Sequence, residues 1–136
     1  MLFVVDANVL ISALINKGVT FKVFKHNASL KKLEFIAPEF LLSEIKMNKL
    51  VSLTRLKKEE LEKIFSLIIE QIEFIPFYKF SDKFLKAIEL NFKDSPYIAL
   101  ALKFNCPIFS GDKGLEKQGL IKVFSPRQLL DILGIK

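Results

Sequence analysis

The chain has 136 residues, 51% of them hydrophobic, which is the size and apolar content of one domain with a substantial core. A single cysteine and a single histidine exclude an intramolecular disulfide and a zinc site made of Cys and His side chains. The formal net charge of +6 is compatible with a phosphate-rich partner, although a solvated lysine-rich surface explains the same charge.

The sequence shows no feature that divides it or directs it to a membrane. No repeat, low-complexity tract or linker interrupts residues 1–136, so a single domain is predicted. No secretory signal pattern opens the chain, and no apolar run approaches the ~20 residues that cross a bilayer. We therefore expect a soluble, cytoplasmic protein without a membrane partner.

Five short apolar runs predict strands. The first, "LFVV" at 2–5, is continuous and valine-rich, which is typical of a strand buried on both faces. Four similar runs occupy 34–37, 73–77, 107–110 and 121–124.

Helices are predicted between these strands. Apolar residues in 59–72 recur at i, i+3, i+4 and i+7, and 38–47 carries a similar face. The segments 94–104 and 125–133 begin with a capping residue and a proline, and 7–14 follows the first strand. Strands that alternate with helices predict an α/β fold, a three-layer αβα arrangement around a central parallel sheet of about five strands.

Carboxylates follow the predicted strands at the edge where such sheets bind ligands. Asp6 comes directly after the first strand, and Asp112 follows the fourth in "IFSGDKGL". Glu44 lies in the helix after the second strand, and Asp94 opens the helix that leads to the fourth. Carboxylates that share one crevice repel one another unless protons or cations are present, and Mg²⁺ and Mn²⁺ prefer such oxygen ligands.

Each of these acids also has an ordinary structural explanation. Asp6 or Asn8 could cap the first helix, and Asn8 is the better candidate for that role. Asp94 could cap its own helix, Asp112 could stabilise a turn, and Glu44 could face water. The structural explanation is favoured for each acid alone, whereas their combination favours a shared site.

In combination, these features resemble the PIN domain family of metal-dependent ribonucleases, and in particular its small VapC-like toxins. The resemblance covers essentially the whole chain and rests on four motifs in order: "FVVDANVLISAL", "PEFLLSEI", "KDSPYIALAL" and "PIFSGDKGL". It implies a parallel sheet in the order 3-2-1-4-5, with strands 1 and 4 adjacent at the switch point.

The resemblance also implies a catalytic centre. The acids of the four motifs fall on Asp6, Glu44, Asp94 and Asp112. The three aspartates would be the main ligands of one or two Mg²⁺ or Mn²⁺ ions, with Glu44 bound directly or through water, and the reaction would be hydrolysis of RNA phosphodiester bonds. One departure predicts a weaker second metal position, because Ser95 and Pro96 follow Asp94 where many relatives carry a second acid nearby.

Other residues near the motifs would assist. Asn8 and Ser110 are expected to orient the acids, although Asn8 is equally explained as a helix cap. Basic residues near the acids are candidates for RNA-phosphate contact, although a solvated surface explains them as well: Lys113, Lys46, Lys49 and Arg55. The resemblance further implies an antitoxin partner and a homodimer.

Two other functions stay open. A nucleic-acid- or protein-binding module could keep this fold without catalysis, although the presence of all four acids favours an enzyme. A magnesium-dependent phosphotransfer or phosphatase domain is less favoured. Such enzymes often carry an Asp-x-Asp pair at the first strand, whereas this chain has Asp6-Ala7-Asn8.

Overall fold

The computed structural model describes residues 1–16 and 18–136. Within these residues the strands are β1 (Leu2–Val5), β2 (Glu34–Pro38), β3 (Ile72–Ile75), β4 (Ile108–Phe109) and β5 (Val123–Phe124). All pairings are parallel, and the sheet has the order β3-β2-β1-β4-β5. The predicted fold class and strand order are therefore confirmed.

Helices flank the sheet. They are α1 (Ala7–Ile15), α2 (Val19–Leu30), α3 (Leu41–Glu44), α4 (Met47–Leu53), α5 (Lys58–Ile69), α6 (Phe84–Leu90), α7 (Ser95–Phe104), α8 (Lys113–Glu116) and α9 (Pro126–Ile132). Two 3₁₀ turns, Phe77–Lys79 and Ser81–Lys83, precede α6. Because crossovers between parallel strands are right-handed, the reversal of strand order at β1 places α1–α5 on one face and α6–α8 on the other.

β1 is the central strand and pairs on both sides. Val4 lies opposite Ile36 of β2 and Ile108 of β4, and Val5 lies opposite Phe109. The side chains of Val4 and Val5 are fully buried, as the continuous apolar sequence predicts. The strand order reverses between β1 and β4, so the carboxyl ends of these two strands define the switch point.

Some predicted boundaries differ from the structure. The helix predicted over 59–72 ends at Ile69, and Ile72 already belongs to β3, because the apolar residues of helix and strand follow one another without a polar break. The helix predicted over 38–47 is replaced by α3 and α4, which two residues in extended backbone separate. β4 and β5 are shorter than predicted.

The apolar pattern did not indicate α2. Its buried residues Thr20, Val23, Phe24 and Asn27 do recur at i, i+3, i+4 and i+7. Two of the four are polar, so the sequence shows only half of an apolar face. The buried position of Asn27 follows from its hydrogen bonds.

Asn27 joins the amino ends of two strands through its side-chain amide. Its Nδ2 donates to the Leu33 carbonyl at 2.9 Å, and its Oδ1 accepts from the Leu33 N–H at 2.8 Å. The same Nδ2 donates to Oε1 of Gln71, whose Nε2 donates to the carbonyls of Phe24 and Leu67. Because Leu33 precedes β2 and Gln71 precedes β3, this amide pair ties α2 and α5 to the start of both strands.

We predict that Asn27→Leu lowers the free energy of unfolding by about 2–4 kcal/mol, because the N–H and C=O of buried Leu33 lose their partner. Urea unfolding followed by circular dichroism measures the change. The control Asn48→Leu, at an exposed position of α4, should change that free energy by less than about 0.5 kcal/mol. Equal effects of the two substitutions would contradict the prediction.

Among the described residues no single helix has the length and hydropathy to cross a membrane. Taken together, the described parts of α1 and α2 reach the length and composition of a span, but as a bent pair.

Candidate functional site

Asp6 and Ser110 lie at the same level of the sheet, at the carboxyl ends of β1 and β4. Val5 and Phe109 are register partners, and the Asp6 N–H donates to the Phe109 carbonyl at 3.5 Å. Asp6 and Ser110 are the residues that directly follow these partners, and they are 3% and 2% exposed. Two polar side chains are thus buried at the edge where a sheet of this order binds ligands.

Asp6 is the N-cap of α1. Its backbone is extended, and its Oδ1 accepts a hydrogen bond from the Val9 N–H at 2.8 Å. The prediction that Asn8 is the better capping candidate is wrong, because Asn8 already lies inside α1 and its side chain is exposed. The capping explanation therefore holds for Asp6, but it uses only one oxygen of the carboxylate.

Asp112 is held in a similar way at the start of α8. Its Oδ1 accepts from the Gly114 N–H at 2.8 Å, and its own N–H donates to Oγ of Ser110 at 3.0 Å. A Cβ at position 114 would lie 3.1 Å from Oδ1 of Asp112, so the glycine leaves room for that carboxylate. Since the Ser110 hydroxyl also interacts with the Asp6 carboxylate, Ser110 connects the two acids.

Asp94 occupies the N-cap position of α7 without capping it through its side chain. The Asp94 N–H donates to Oδ1 of Asn91 at 3.1 Å, and the Asp94 carbonyl accepts from the Tyr97 N–H. Helix capping therefore explains the side chains of the other two aspartates but not the carboxylate of Asp94.

The three aspartates influence one another electrostatically. Burial is the largest cause that raises the pKa of Asp6, and the Ser110 hydroxyl opposes this rise. The charges of Asp94 and Asp112 raise the same pKa further. The pKa of Asp94 is also raised, first by burial and then by the charge of Asp112, with Lys93 opposing. A cation in this region would relieve the repulsion.

Glu44 is the last residue of α3, and its side chain is exposed. After burial, the charge of Glu44 is the largest cause that raises the pKa of Tyr97, and Asp6 and Asp94 add to it. All three acids therefore lie near enough to Tyr97 to act on its pKa. Across 1–16 and 18–136, however, no three Asp, Glu, His or Cys side chains are grouped closely enough to hold a metal ion. The acids are neighbours, but they do not have the arrangement of a complete ligand set.

Two of the predicted phosphate contacts line a groove beside Glu44. Lys46 and Lys49 border this groove, which has a volume of about 360 Å³. Lys113 is exposed at the start of α8, directly after the fourth acid. Arg55 is exposed beyond α4 and does not line the groove. The structure thus places Lys46, Lys49 and Lys113 next to acids of the predicted centre.

A larger cavity of about 600 Å³ lies at the opposite edge of the sheet, where Leu2, Asn27 and Ile72 contribute to its wall. None of the predicted site residues lines it. The general rule for open parallel sheets favours the carboxyl edge for ligands. The position of the acids, rather than cavity volume, therefore identifies the candidate site.

Tyr97 was not among the residues that the sequence pattern indicated. It is 5% exposed, and its hydroxyl has no hydrogen-bond partner in the part of the chain that the structure describes. One signal in the sequence could have indicated Tyr97. It follows Asp94 by three residues, and this spacing places the two residues side by side on one turn of a helix.

Comparison with known proteins identifies the class of protein. The family model described as PIN domain matches residues 4–129, and the chain belongs to the PIN domain family. No curated protein matches the chain. A chain in the crystal structure of VapBC2 from Rickettsia felis, bound to a DNA fragment from their promoter, is similar with a TM-score of 0.66 and 16% identity. The match covers 92% of this chain and 98% of that chain, and at this identity it concerns the fold.

We predict that Asp6→Asn stabilises the metal-free protein at neutral pH. Because the pKa of Asp6 is raised in the folded state, that state binds the proton more tightly than the unfolded chain does, whose aspartate titrates near 3.8. The free energy of unfolding therefore falls as the pH rises from the unfolded pKa to the folded pKa, and stays lower above both. Asparagine removes the charge and keeps an oxygen that can accept from the Val9 N–H.

Thermal unfolding in EDTA between about pH 4 and pH 7 measures this effect. The Tm of Asp6→Asn should exceed that of the unmodified protein at pH 7 and should depend less on pH. Asp6→Ala serves as the control for the cap, because it should be less stable than Asp6→Asn by about 1 kcal/mol. A lower Tm of Asp6→Asn at pH 7 would show that burial of the charge does not destabilise the fold.

Proposed function

We propose that the protein is a metal-dependent endoribonuclease that hydrolyses phosphodiester bonds in RNA. One observation carries the proposal: Asp6 is buried at the switch point of the sheet, within the electrostatic reach of Asp94 and Asp112. Membership of the PIN domain family supports it.

The chemistry of the donor atoms, rather than their grouping in the structure, suits Mg²⁺ or Mn²⁺. The acids offer only oxygen ligands, which hard divalent ions prefer, and no Cys or His side chain is among them. Asp6, Asp94 and Asp112 would hold one or two ions, and Glu44 would bind directly or through water. Once bound, the ions would supply Lewis acidity for attack of water on the phosphodiester and for departure of the 3′ oxygen.

The residues around the acids would keep this centre in shape. Asp6 and Asp112 each have one oxygen anchored by a backbone N–H, which fixes the direction of the carboxylate. Ser110 would orient both acids, through its contact with the Asp112 N–H and its interaction with Asp6. Asn8 is exposed in the first turn of α1, where it would orient water or substrate beside Asp6.

RNA would reach the acidic centre along basic side chains. The formal net charge of +6 favours association with a polyanion. Lys46 and Lys49 beside Glu44, and Lys113 after Asp112, would bind phosphates that flank the reacting bond. Arg55 would contact a more distant phosphate.

We also propose that the protein is a cytoplasmic toxin that acts as a homodimer and is restrained by an antitoxin. The similarity of its fold to a chain of VapBC2 supports this assignment. A small regulatory gene immediately upstream of the coding sequence would add support. Co-purification of its product with this chain, and relief of growth arrest on co-expression, would test the pairing.

A second candidate function is RNA binding without catalysis. The finding that favours it is that the acids of the described residues are not grouped at the distances of a complete metal site. This candidate predicts RNA binding that Mn²⁺ does not convert into cleavage, so the following experiment separates the two.

We predict that purified protein cleaves RNA only with Mg²⁺ or Mn²⁺, and that Asp6→Asn and Asp112→Asn each lower kcat/KM by more than about 100-fold. The magnitude follows because loss of a group that only supports a metal ligand already costs about 10–100-fold. Cleavage of labelled RNA, resolved on denaturing gels, measures the rate.

Asp131→Asn, at an exposed position of α9, is the matched control and should cleave at the unmodified rate. Cleavage that survives in both site variants would show that the proposed centre is wrong. Binding of RNA with no cleavage under any divalent ion would favour the non-catalytic module.

We predict that the double substitution Lys46→Gln and Lys49→Gln raises KM for RNA more than it lowers kcat. Each lost phosphate contact should reduce the slope of log affinity against log salt by about 0.7, the value for single strands. Lys25→Gln with Lys32→Gln removes the same charge from exposed positions elsewhere. If both pairs change KM and the salt slope equally, the groove has no special part in RNA binding.

A further inference from the structure

Three aromatic rings are exposed in residues 77–93, the part of the chain that contains the two 3₁₀ turns and α6. Tyr78 and Phe92 are 74% and 78% exposed, and about half of the Phe77 side chain is also exposed. Single exposed apolar residues are common on soluble domains. The groups around these rings therefore decide whether they form a binding surface.

The structure holds two of the rings in place. Phe77 packs edge-on against Phe80 and Phe84, with centroids 5.4 and 5.3 Å apart and planes at 79° and 82°. The Phe92 carbonyl accepts from the Ser95 N–H at 3.4 Å, which ties the backbone of Phe92 to the start of α7. A partner that contacts these rings therefore has less conformational entropy to remove.

The charged residues of the same segment leave positive charge beside the rings. Its two carboxylates are both engaged, because Asp82 accepts from Lys103 at 2.9 Å and Glu89 lies 3.9 Å from Lys86. Three further exposed lysines of the segment form no ion pair within 1–16 and 18–136: Lys79, Lys83 and Lys93.

The chemistry of the segment favours a polyanion with accessible bases over a protein partner. Lys79 directly follows Tyr78, and Lys93 directly follows Phe92. Aromatic rings stack on the bases of single strands, and ammonium groups neutralise their phosphates. Protein interfaces, by contrast, are poor in lysine. A second copy on a two-fold axis would set this positively charged surface against itself.

The segment ends at the candidate centre. Asp94 directly follows Lys93, and the Asp94 N–H donates to Oδ1 of Asn91 at 3.1 Å. Phe92 lies within the turn that this hydrogen bond closes, two residues before the acid. A base stacked on Phe92 would therefore hold the strand beside the acids.

We propose that this segment binds single-stranded RNA on the Asp94 side of the centre. Bases stack on Phe77, Tyr78 and Phe92, and phosphates contact the three unpaired lysines. The inference rests on the proposed endoribonuclease function and assigns a site to nucleotides that flank the reacting bond. It concerns a different segment from the groove beside Glu44.

Fluorescence anisotropy of a labelled single-stranded RNA, measured in EDTA so that the RNA stays intact, tests the inference. Tyr78→Leu with Phe92→Leu removes two rings and keeps apolar side chains at both positions. Each lost stack should weaken binding about 5-fold or more, so the Kd of the double variant should rise about 25-fold or more. Duplex RNA should bind both proteins equally, because its paired bases are not free to stack.

Phe104→Leu, the same change at a partly exposed ring of α7, is the matched control and should leave the Kd unchanged. The Tm of all these variants should stay close to that of the unmodified protein, because the rings are accessible to solvent. Unchanged RNA affinity in the double variant would overturn the inference. If that variant were also a smaller oligomer in light scattering, a second copy rather than RNA would cover the rings.

Lys79→Gln with Lys83→Gln tests the phosphate contacts. The slope of log affinity against log salt should fall by about 1.4, twice the value for one contact with a single strand. Lys25→Gln with Lys32→Gln is the control for charge alone. Equal changes of slope in the two pairs would overturn the assignment of these lysines.

The outcome is separable from that of the proposed function. Unchanged RNA affinity in the ring variant, together with metal-dependent cleavage by the unmodified protein, would overturn the inference alone. Weakened RNA affinity in that variant, without cleavage under any divalent ion, would support the inference and overturn only the catalytic function. Absence of RNA binding by the unmodified protein would overturn both.

Discussion

The pairing of β1 with both β2 and β4 is the constraint on which the site depends. Val4 bonds into two parallel ladders, one towards Ile36 and one towards Ile108. Because the strand order reverses at this point, the loops after β1 and β4 diverge to opposite faces and leave a crevice between them. Asp6 and Ser110 then lie side by side without any local sequence relation, and Asp112 follows within the same loop. Any change that shifted the β1–β4 register would separate them.

Stability and chemistry make opposite demands on Asp6. Its Oδ1 closes the first turn of α1, whereas burial beside Asp94 and Asp112 disfavours its charge. The fold accommodates this conflict by surrounding the carboxylate with donors, namely the Val9 N–H and the Ser110 hydroxyl. The same residue is therefore a helix cap and a candidate ligand, and the two explanations do not exclude each other.

The parallel sheet and the positions of Asp6 and Asp112 after strands could be anticipated from patterns along the chain, whereas the strand order was implied only by the resemblance to the PIN domain family. β1 is a continuous apolar run, and Asp6 and Asp112 come soon after strands. The sequence could not show whether Asp6 or Asn8 caps α1, because both are good capping residues. The end of the extended backbone decides the choice, and the pairing of β1 in the sheet determines where that end lies. The sequence could not predict that the Tyr97 hydroxyl is buried and unpaired either, because α1, α3 and α7 together create its surroundings.

The short strand β4 also determines when the centre can exist during synthesis. β1 is translated long before its partner on one side, which begins at Ile108, and before the last acid, Asp112. Contacts between such distant parts of a chain form late, after the nearer pairing of β1 with β2. A nascent chain that ends before Asp112 therefore contains three of the four acids and lacks the complete set of candidate metal ligands. If the protein is a nuclease, the ribosome that makes it is exposed to no activity from that chain until Asp112 has been translated.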